Sequence, residues 1–456
     1  MKIIFKLLLV VVILSNSNIV QGQTQKRDQE KPTVSKENRI PTAMFMSDFH
    51  IGEVYGSVTR VLPENDAKAN YESAIVNGET IYYRKEVAEL VNSLDRELGP
   101  NEKISYLILM GDIFDMAIHN ESDVLNLAHT FFNEIQFTQN KRTFISYFHK
   151  IIYLPGNHDH HVWKMLQEQY YISNHLVNNF KSLPIPQQAI GLLDLESSKI
   201  VIKDAVIFPD HSKNFIASVL SQNKKEVYIA YPNLYIKYKE SNNSNEESAG
   251  ICVTHGHFFE PGWNKSSLLF DNNNDMNDSV YFSELEKNNS PLTEFSDFEV
   301  AQTSEALAQG ISDLQFYQDA AYEQKYEKLS KLYPQLFPIK MQKSNKPKDF
   351  DILSLMKYPD LVDEYLMYTQ KQMKHLKQGD KTYSLNLKKL VYGHTHVPCF
   401  NVKYSKHISN VDKTFIDLDL TIYNTGGWVN INDVGRPNPM FLYNDGGIQS
   451  VFGETF

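Results

Sequence analysis

The 456-residue chain has only two cysteines, Cys252 and Cys399. Two cysteines cannot form a disulfide framework, so stability has to come from a packed core. Positive charge is also in short supply: 45 Lys+Arg stand against 55 Asp+Glu, for a formal net charge of -10. That balance argues against gripping duplex DNA or an anionic membrane surface. Glycine and proline, at 20 and 18 residues, are too few for a collagen-like or low-complexity chain. After residue 14 no apolar run comes near the roughly 20 residues that span a bilayer.

The one long apolar run lies at the start. Lys2 and Lys6 precede an unbroken apolar stretch from Leu7 to Leu14, and Val20-Gln21-Gly22 follows. This order is that of a secretory signal peptide. A buried helix is the alternative, but no amphipathic period is present. We expect residues 1–22 to be a signal peptide and 23–40 a polar, flexible leader, with one domain at 41–456. The expected location is secreted or periplasmic, with no transmembrane span in the mature chain.

Short apolar strands alternate with helical periodicity thereafter. Ala43–Met46, Tyr106–Met110, Ile151–Leu154, Ile200–Phe208, Ile251–Val253, Lys389–Tyr392 and Thr421–Tyr423 read as strands. Glu86–Leu98 places Val87, Leu90, Val91 and Leu94 on one helical face. The alternation indicates an α/β sandwich. The stretch 258–387 breaks the rhythm. It opens with an Asn/Asp/Ser-rich loop from Asn264 to Ser296 and continues with helical segments near Val300–Leu332 and Phe350–Leu376. It reads as a mainly helical insertion within one domain.

Strand after strand ends in a polar group able to hold a metal. The motifs, in order, are Asp48-Phe49-His50, Gly111-Asp112-Ile113-Phe114-Asp115, Gly156-Asn157-His158-Asp159, Thr254-His255-Gly256-His257 and Gly393-His394-Thr395-His396. Singly each is weak, since a lone Asp-x-His is more often a turn and a lone His is usually a satisfied one. Together they supply carboxylates, an amide oxygen and imidazoles, a mixed O/N set suited to first-row divalent metals. Ligands gather beyond the carboxyl ends of strands in α/β sheets, so residues distant in sequence can share one site.

The ordered set resembles the calcineurin-like metallophosphoesterase superfamily over about Pro41 to Gly256 and Lys389 to Trp428. The Ser-Asp-x-His-x-Gly and Gly-Asp-x-Phe-Asp contexts are similar to bacterial phosphoesterases, here a secreted branch. The resemblance implies a four-layer α/β/β/α sandwich carrying two divalent metals (Mn, Fe, Zn, Ni or Co). It implies Asp48, His50 and His396 as ligands of one metal, Asn157, His255 and His394 as ligands of the other, and Asp112 as the bridge. It implies His158 as the residue that meets the phosphate and protonates the leaving group, paired with Asp115. Asp115 is alternatively the cap of a helix starting at Met116. Purple acid phosphatases place a tyrosine ligand where this chain has Asp115, so a tyrosinate-iron centre is not expected.

The implied activity is hydrolysis of phosphate mono- or diesters by a metal-bound hydroxide at a binuclear site. The alternatives are a sugar-nucleotide or lipid-head-group pyrophosphatase, or a non-catalytic phosphate-binding protein. The expected partner is a small phosphorylated substrate, and no nucleic-acid partner is expected. His119, His160, His161 and Trp163 either contact substrate or pack, and Asp159 orients its loop or caps the next helix. His257 is either behind the ligands or facing substrate. Phe258, Phe259 and Trp263 either line an apolar wall or pack the insertion on the core. Cys252 and Cys399 read as small core residues, and Asn424-Thr425-Gly426-Gly427-Trp428 as packing beneath the site.

Overall fold

The computed structural model describes residues 39–453, apart from 64, 118, 138–140, 178–184, 204–214, 223–224, 240–247, 265–280, 300–301, 303–358, 410–414 and 430–435. The expected signal peptide at 1–22 and nearly all of the leader at 23–40 lie outside the described residues. So does nearly all of the helix expected near Val300–Leu332.

The body spanning Ile40–Phe456 is built on two sheets. The first has six strands in the order Ile448–Ser450, Met440–Leu442, Ala43–Met46, Ile104–Met110, Phe148–Leu154, Val227–Ile229. Its last four strands are parallel to one another. The second has seven, in the order Cys399–Ser409, Phe415–Asn424, Leu385–Tyr392, Ser248–Thr254, Asn233–Tyr238, Gly191–Asp194, Lys199–Lys203. There Ser248–Thr254, Leu385–Tyr392 and Phe415–Asn424 are mutually parallel. Parallel strands are covered on both faces and so read as continuous apolar runs. Residues 104–110 show it, with Tyr106 to Met110 all buried.

One hydrophobic cluster joins both sheets, with Met44, Leu107 and Ile152 from the first and Val253, Leu390 and Ile422 from the second. Each such side chain contributes about 1.5–3 kcal/mol on burial. Helix Lys85–Glu97 buries Val87, Leu90, Val91 and Leu94, the face its period predicts. Helix Glu121–Asn133 starts where the Asn120 side chain accepts a hydrogen bond from the Ser122 amide at 3.0 Å, and it buries Val124, Leu127, Ala128, Phe131 and Phe132. This is the α/β sandwich expected from the sequence.

Between His255 and His394 the chain leaves the second sheet and returns to it. The described parts are a tight turn at His257–Phe259, helices at Pro261–Asn264, Tyr281–Glu294 and Pro359–Lys374, a π-helical turn at Phe295–Glu299, and a hairpin of Leu376–Gln378 with Lys381–Tyr383. The expected loop from Asn264 to Ser296 therefore contains a helix. Its polar composition masks buried Tyr281, Phe282 and Leu285 near the helix start, which supply the packing. Tyr365 from helix Pro359–Lys374 completes this contact, 5.1 Å from both Phe259 and Phe282 between ring centres. Among the described residues no helix is long and apolar enough to cross a membrane.

Candidate metal centre

The five motifs converge. Asp48, Asp112 and Asn157 follow three adjacent parallel strands of the first sheet, and His255 and His394 follow two adjacent parallel strands of the second. Asp48 accepts the His394 amide at 3.0 Å on both carboxylate oxygens, which ties the two sheets together at the site. Three ligand-like groups result: Asp48/His50/His396, Asp112/His255/His394 and His50/Asp115/His158.

Hydrogen bonds at the rear of the imidazoles fix their tautomers. His50 donates from Nδ1 to Asp115 Oδ2 at 2.9 Å, and His255 donates from Nδ1 to the Met110 carbonyl at 2.9 Å. The Nε2 atoms of both then present lone pairs to the centre. His255 Nε2 lies 3.1 Å from Asp112 Oδ2 and 3.1 Å from Asn157 Oδ1. His50 Nε2 lies 3.1 Å from His396 Nε2 and 3.8 Å from Asp112 Oδ2. His396 Nε2 is 3.4 Å from Asp48 Oδ1. Acceptors thus face acceptors in a buried site, an arrangement that cations resolve. Asp112 Oδ2 lies between the two imidazoles, where one carboxylate can serve two ions. The residues present fit a pair of divalent metals.

The charge balance agrees. Burial works against a charge on His255, yet Asp112, then Asp48 and Asp159, outweigh it and raise its pKa to about 9. Without a cation a proton on Nε2 answers that field; a divalent ion would displace the proton and meet the lone pair. Burial lowers the pKa of His50, which keeps it neutral as a ligand must be.

The backbone is strained at the same place. Asp48, His50, Asp112, His394 and His396 have φ of 53°, 45°, 50°, 67° and 58°, in the left-handed region. Such conformations cost about 1–3 kcal/mol each and persist where the surroundings over-determine them. Close packing adds to this. A Cβ on Gly156 would stand 2.2 Å from Asp112 Oδ1, and one on Gly111 (φ +85°) would stand 2.4 Å from His255 Nδ1. Both glycines let the backbone pass beside the carboxylate and the imidazole.

His158 stands beside the centre. Its amide donates to Asp112 Oδ1 at 2.9 Å and its Nδ1 lies 3.4 Å from Asp115 Oδ1. Asp115 is fully buried and serves His50 as well as His158. Burial alone would raise its carboxyl, but His158 and His50 outweigh that and hold it far below the usual carboxylate range. No helix starts at Met116. Asp159 accepts the amides of Asp112 at 3.2 Å, Gly156 at 2.5 Å and Ile113 at 2.9 Å, so it pins two of the motif loops together.

Of the two readings left open for the neighbouring residues, the structure shows packing for His160, His161 and Trp163. His160 and His161 contact glutamates of the insertion, and Trp163 is buried in the core, stacked on Tyr231 at 4.8 Å. The His119 carbonyl accepts a hydrogen bond from Gln302. His257 is buried behind His255, 5.5 Å between rings, and its Nδ1 has no hydrogen-bond partner among the described residues. Phe258 and Phe259 are buried in the core and pack the insertion down, and Trp263 packs against the same cluster. Cys252 and Cys399 are buried and are not joined in a disulfide. Trp428 stacks on Phe49 at 4.7 Å and its amide donates to the Asp48 carbonyl, which places the Asn424–Trp428 stretch beneath the site.

Four contributors had no role assigned from the sequence. The Met110 carbonyl is backbone. Ser47 donates to the Asp48 carboxylate. Glu53 lies 3.9 Å from His50 Nδ1, and burial, then Asp115, raises its pKa to about 8. Glu260 Oε2 lies 3.4 Å from His394 Nε2. Glu53 follows His50 by three positions, whereas Glu260 precedes His394 by 134, and no motif marks either pairing.

The calcineurin-like phosphoesterase family matches residues 42–291, more than half of the chain. The chain belongs to this family, whose members are metal-dependent phosphoester hydrolases. The match ends before His394 and His396, which the fold itself brings to the other motifs. A search of curated proteins found no match to this chain.

Proposed function

We propose that this chain is a secreted or periplasmic binuclear metallophosphoesterase that hydrolyses a small phosphate mono- or diester. The observation that carries the reading is the convergence of acceptor atoms whose tautomers are fixed from behind. Asp48, His50 and His396 would hold one ion and Asn157, His255 and His394 the other, with Asp112 available to both. When bound, two divalent ions supply Lewis-acid stabilisation of the phosphoester oxygens.

The chain's own residues supply the rest. With its Nδ1 proton directed at Asp115, His158 presents Nε2 towards the substrate side and donates a proton to the departing ester oxygen. The ionised Asp115 keeps that imidazole charged beforehand and holds His50 in the tautomer a ligand needs. Asp159 and the Asp112–His158 amide contact keep the loops at fixed separation, so the donor does not have to reorganise.

A panel of mono-, di- and pyrophosphate esters with Mn, Fe, Zn, Ni, Co and Mg tests this. Metal-dependent cleavage of a mono- or diester is expected. Metal-loaded protein that cleaves nothing in the panel would remove the enzymatic reading, and exclusive cleavage of pyrophosphates would replace it.

A further inference from the structure

The insertion meets the catalytic loop at a buried charged cluster. Asn157 and His158 lie directly before helix His160–Val177, so their placement depends on where that helix begins. Its first two residues are both held from the insertion. Glu294, the last residue of helix Tyr281–Glu294, meets His160 Nδ1 at 2.5 Å and His161 Nδ1 at 2.7 Å through its two oxygens. Glu286, about two turns earlier, meets His160 Nε2 at 3.1 Å.

Both ring nitrogens of His160 therefore face carboxylates, and an imidazole so placed donates from both. His160 and Glu286 are 2% and 1% exposed, so this pair is cut off from water. Glu286 is itself fixed by the Tyr231 hydroxyl at 2.8 Å and by Lys164 at 3.5 Å. His161 lies flat on Phe298 of the following π-helical turn, 3.4 Å between ring centres and 5° between planes. A buried charge left without its partner is strongly unfavourable, so the two helices hold one register.

We propose that Glu294 and Glu286 are positioning residues for catalysis: through His160 and His161, the insertion sets where His158 stands over the metal centre. This rests on the phosphoesterase reading above and deepens it. Three contacts anchor the loop from the core side: the His158 amide on Asp112, the Met116 amide on the His158 carbonyl, and Asp159 on its three amides. The insertion supplies the anchor on the remaining side. Loss of it tilts the helix start without dismantling the ligands, and the residue with most to lose is the one whose hydrogen bond to Asp115 is already long, at 3.4 Å.

The test is Glu294→Gln, which keeps the shape and removes the charge, measured in metal-loaded, full-length protein. Two phosphate monoesters serve as substrates, one with an alkyl leaving group and one with nitrophenolate. The expected result is a fall in kcat of about 10- to 100-fold on the alkyl ester, the range a small misplacement produces. KM and metal content stay unchanged, and the loss on the nitrophenyl ester is smaller because that leaving group needs less protonation. Glu294→Asp should recover part of the loss. Phe298→Leu, which weakens the His161 stack without touching a charge, should show the same pattern more weakly and serves if Glu294→Gln does not fold. Equal losses on both esters, a fall in metal content, or unchanged kcat in a folded variant would each overturn the proposal. If wild-type protein binds metal and cleaves neither these monoesters nor the corresponding diesters, the phosphoesterase reading itself has failed; if it cleaves only the diesters, the same comparison is made on them. Wild-type activity beside indifferent variants isolates the failure to this proposal.

Discussion

The two halves of the centre hold their histidines by different means. His50 donates to a carboxylate, Asp115, and His255 to a backbone carbonyl, Met110, both at 2.9 Å. The geometry is equal but the charge is not. A carboxylate behind an imidazole raises its basicity, and here the same carboxylate reaches His158. One half is therefore joined to His158, the proposed proton donor, and can be retuned by a side chain. The other is wired to the end of a strand and cannot. Asp112 is where the halves meet.

Substitutions that break this comparison should rank accordingly. Asp112→Asn acts on both halves at once and should cost more than the roughly 100-fold upper range of a supporting residue. Metal analysis should show occupancy falling at both positions, and loss at one position alone would contradict the bridging role. His158→Ala should lower turnover of an ester with a poor leaving group by about 10²–10⁴-fold at constant metal content, with a smaller loss for nitrophenolate. Loss of metal in that variant would place His158 among the ligands instead. Asp115→Asn separates the halves. It should weaken one ion about 10–100-fold and leave the other in place, which a metal titration resolves as two distinct affinities.

Much of the centre was legible because its chemistry sits at strand ends. An apolar run that stops at Asp, Asn or His marks both the strand and the group the strand delivers, and all seven candidate ligands came from such places. Asp115 was legible through the resemblance, as the partner of His158, and Asp159 only as an orienter of its loop or a cap of the next helix. What stayed hidden was whatever depends on tertiary contact. Helix Tyr281–Glu294 carries Asn288, Asn289, Ser290 and Pro291 within one turn, so local propensity argues against it. The buried Tyr281, Phe282 and Leu285, with the Glu286 and Glu294 ion pairs, override that propensity. The sequence leaves His160 and His161 between substrate contact and packing because no sequence rule pairs them with glutamates 126 and 133 positions away.

The smallest effect expected is on stability. Burial works against a charged His160, but Glu286 and Glu294 outweigh it and raise its pKa to about 9, above the roughly 6.5 of an unfolded chain. Its contribution is complete below about pH 6.5 and is lost as pH rises through 9. Glu294 runs the other way: burial opposes its charge, but His160 and His161 lower its pKa to about 2. Its contribution is complete above about pH 4.3 and is lost as pH falls through 2. Both are whole together only between about pH 4.3 and 6.5. Proteolysis of the insertion should therefore quicken between pH 6.5 and 9.5 in wild-type protein and change less in Glu294→Gln. Equal pH dependence in the two would remove the cluster as its cause.

The account stands most directly on metal stoichiometry. Elemental analysis of protein reconstituted with a first-row divalent metal and freed of excess should give two ions per chain for wild type. Asp48→Ala and Asn157→Ala should each leave one. A wild-type chain that retains no ion, and whose phosphoester cleavage is indifferent to added metal, would contradict a centre built from these seven residues.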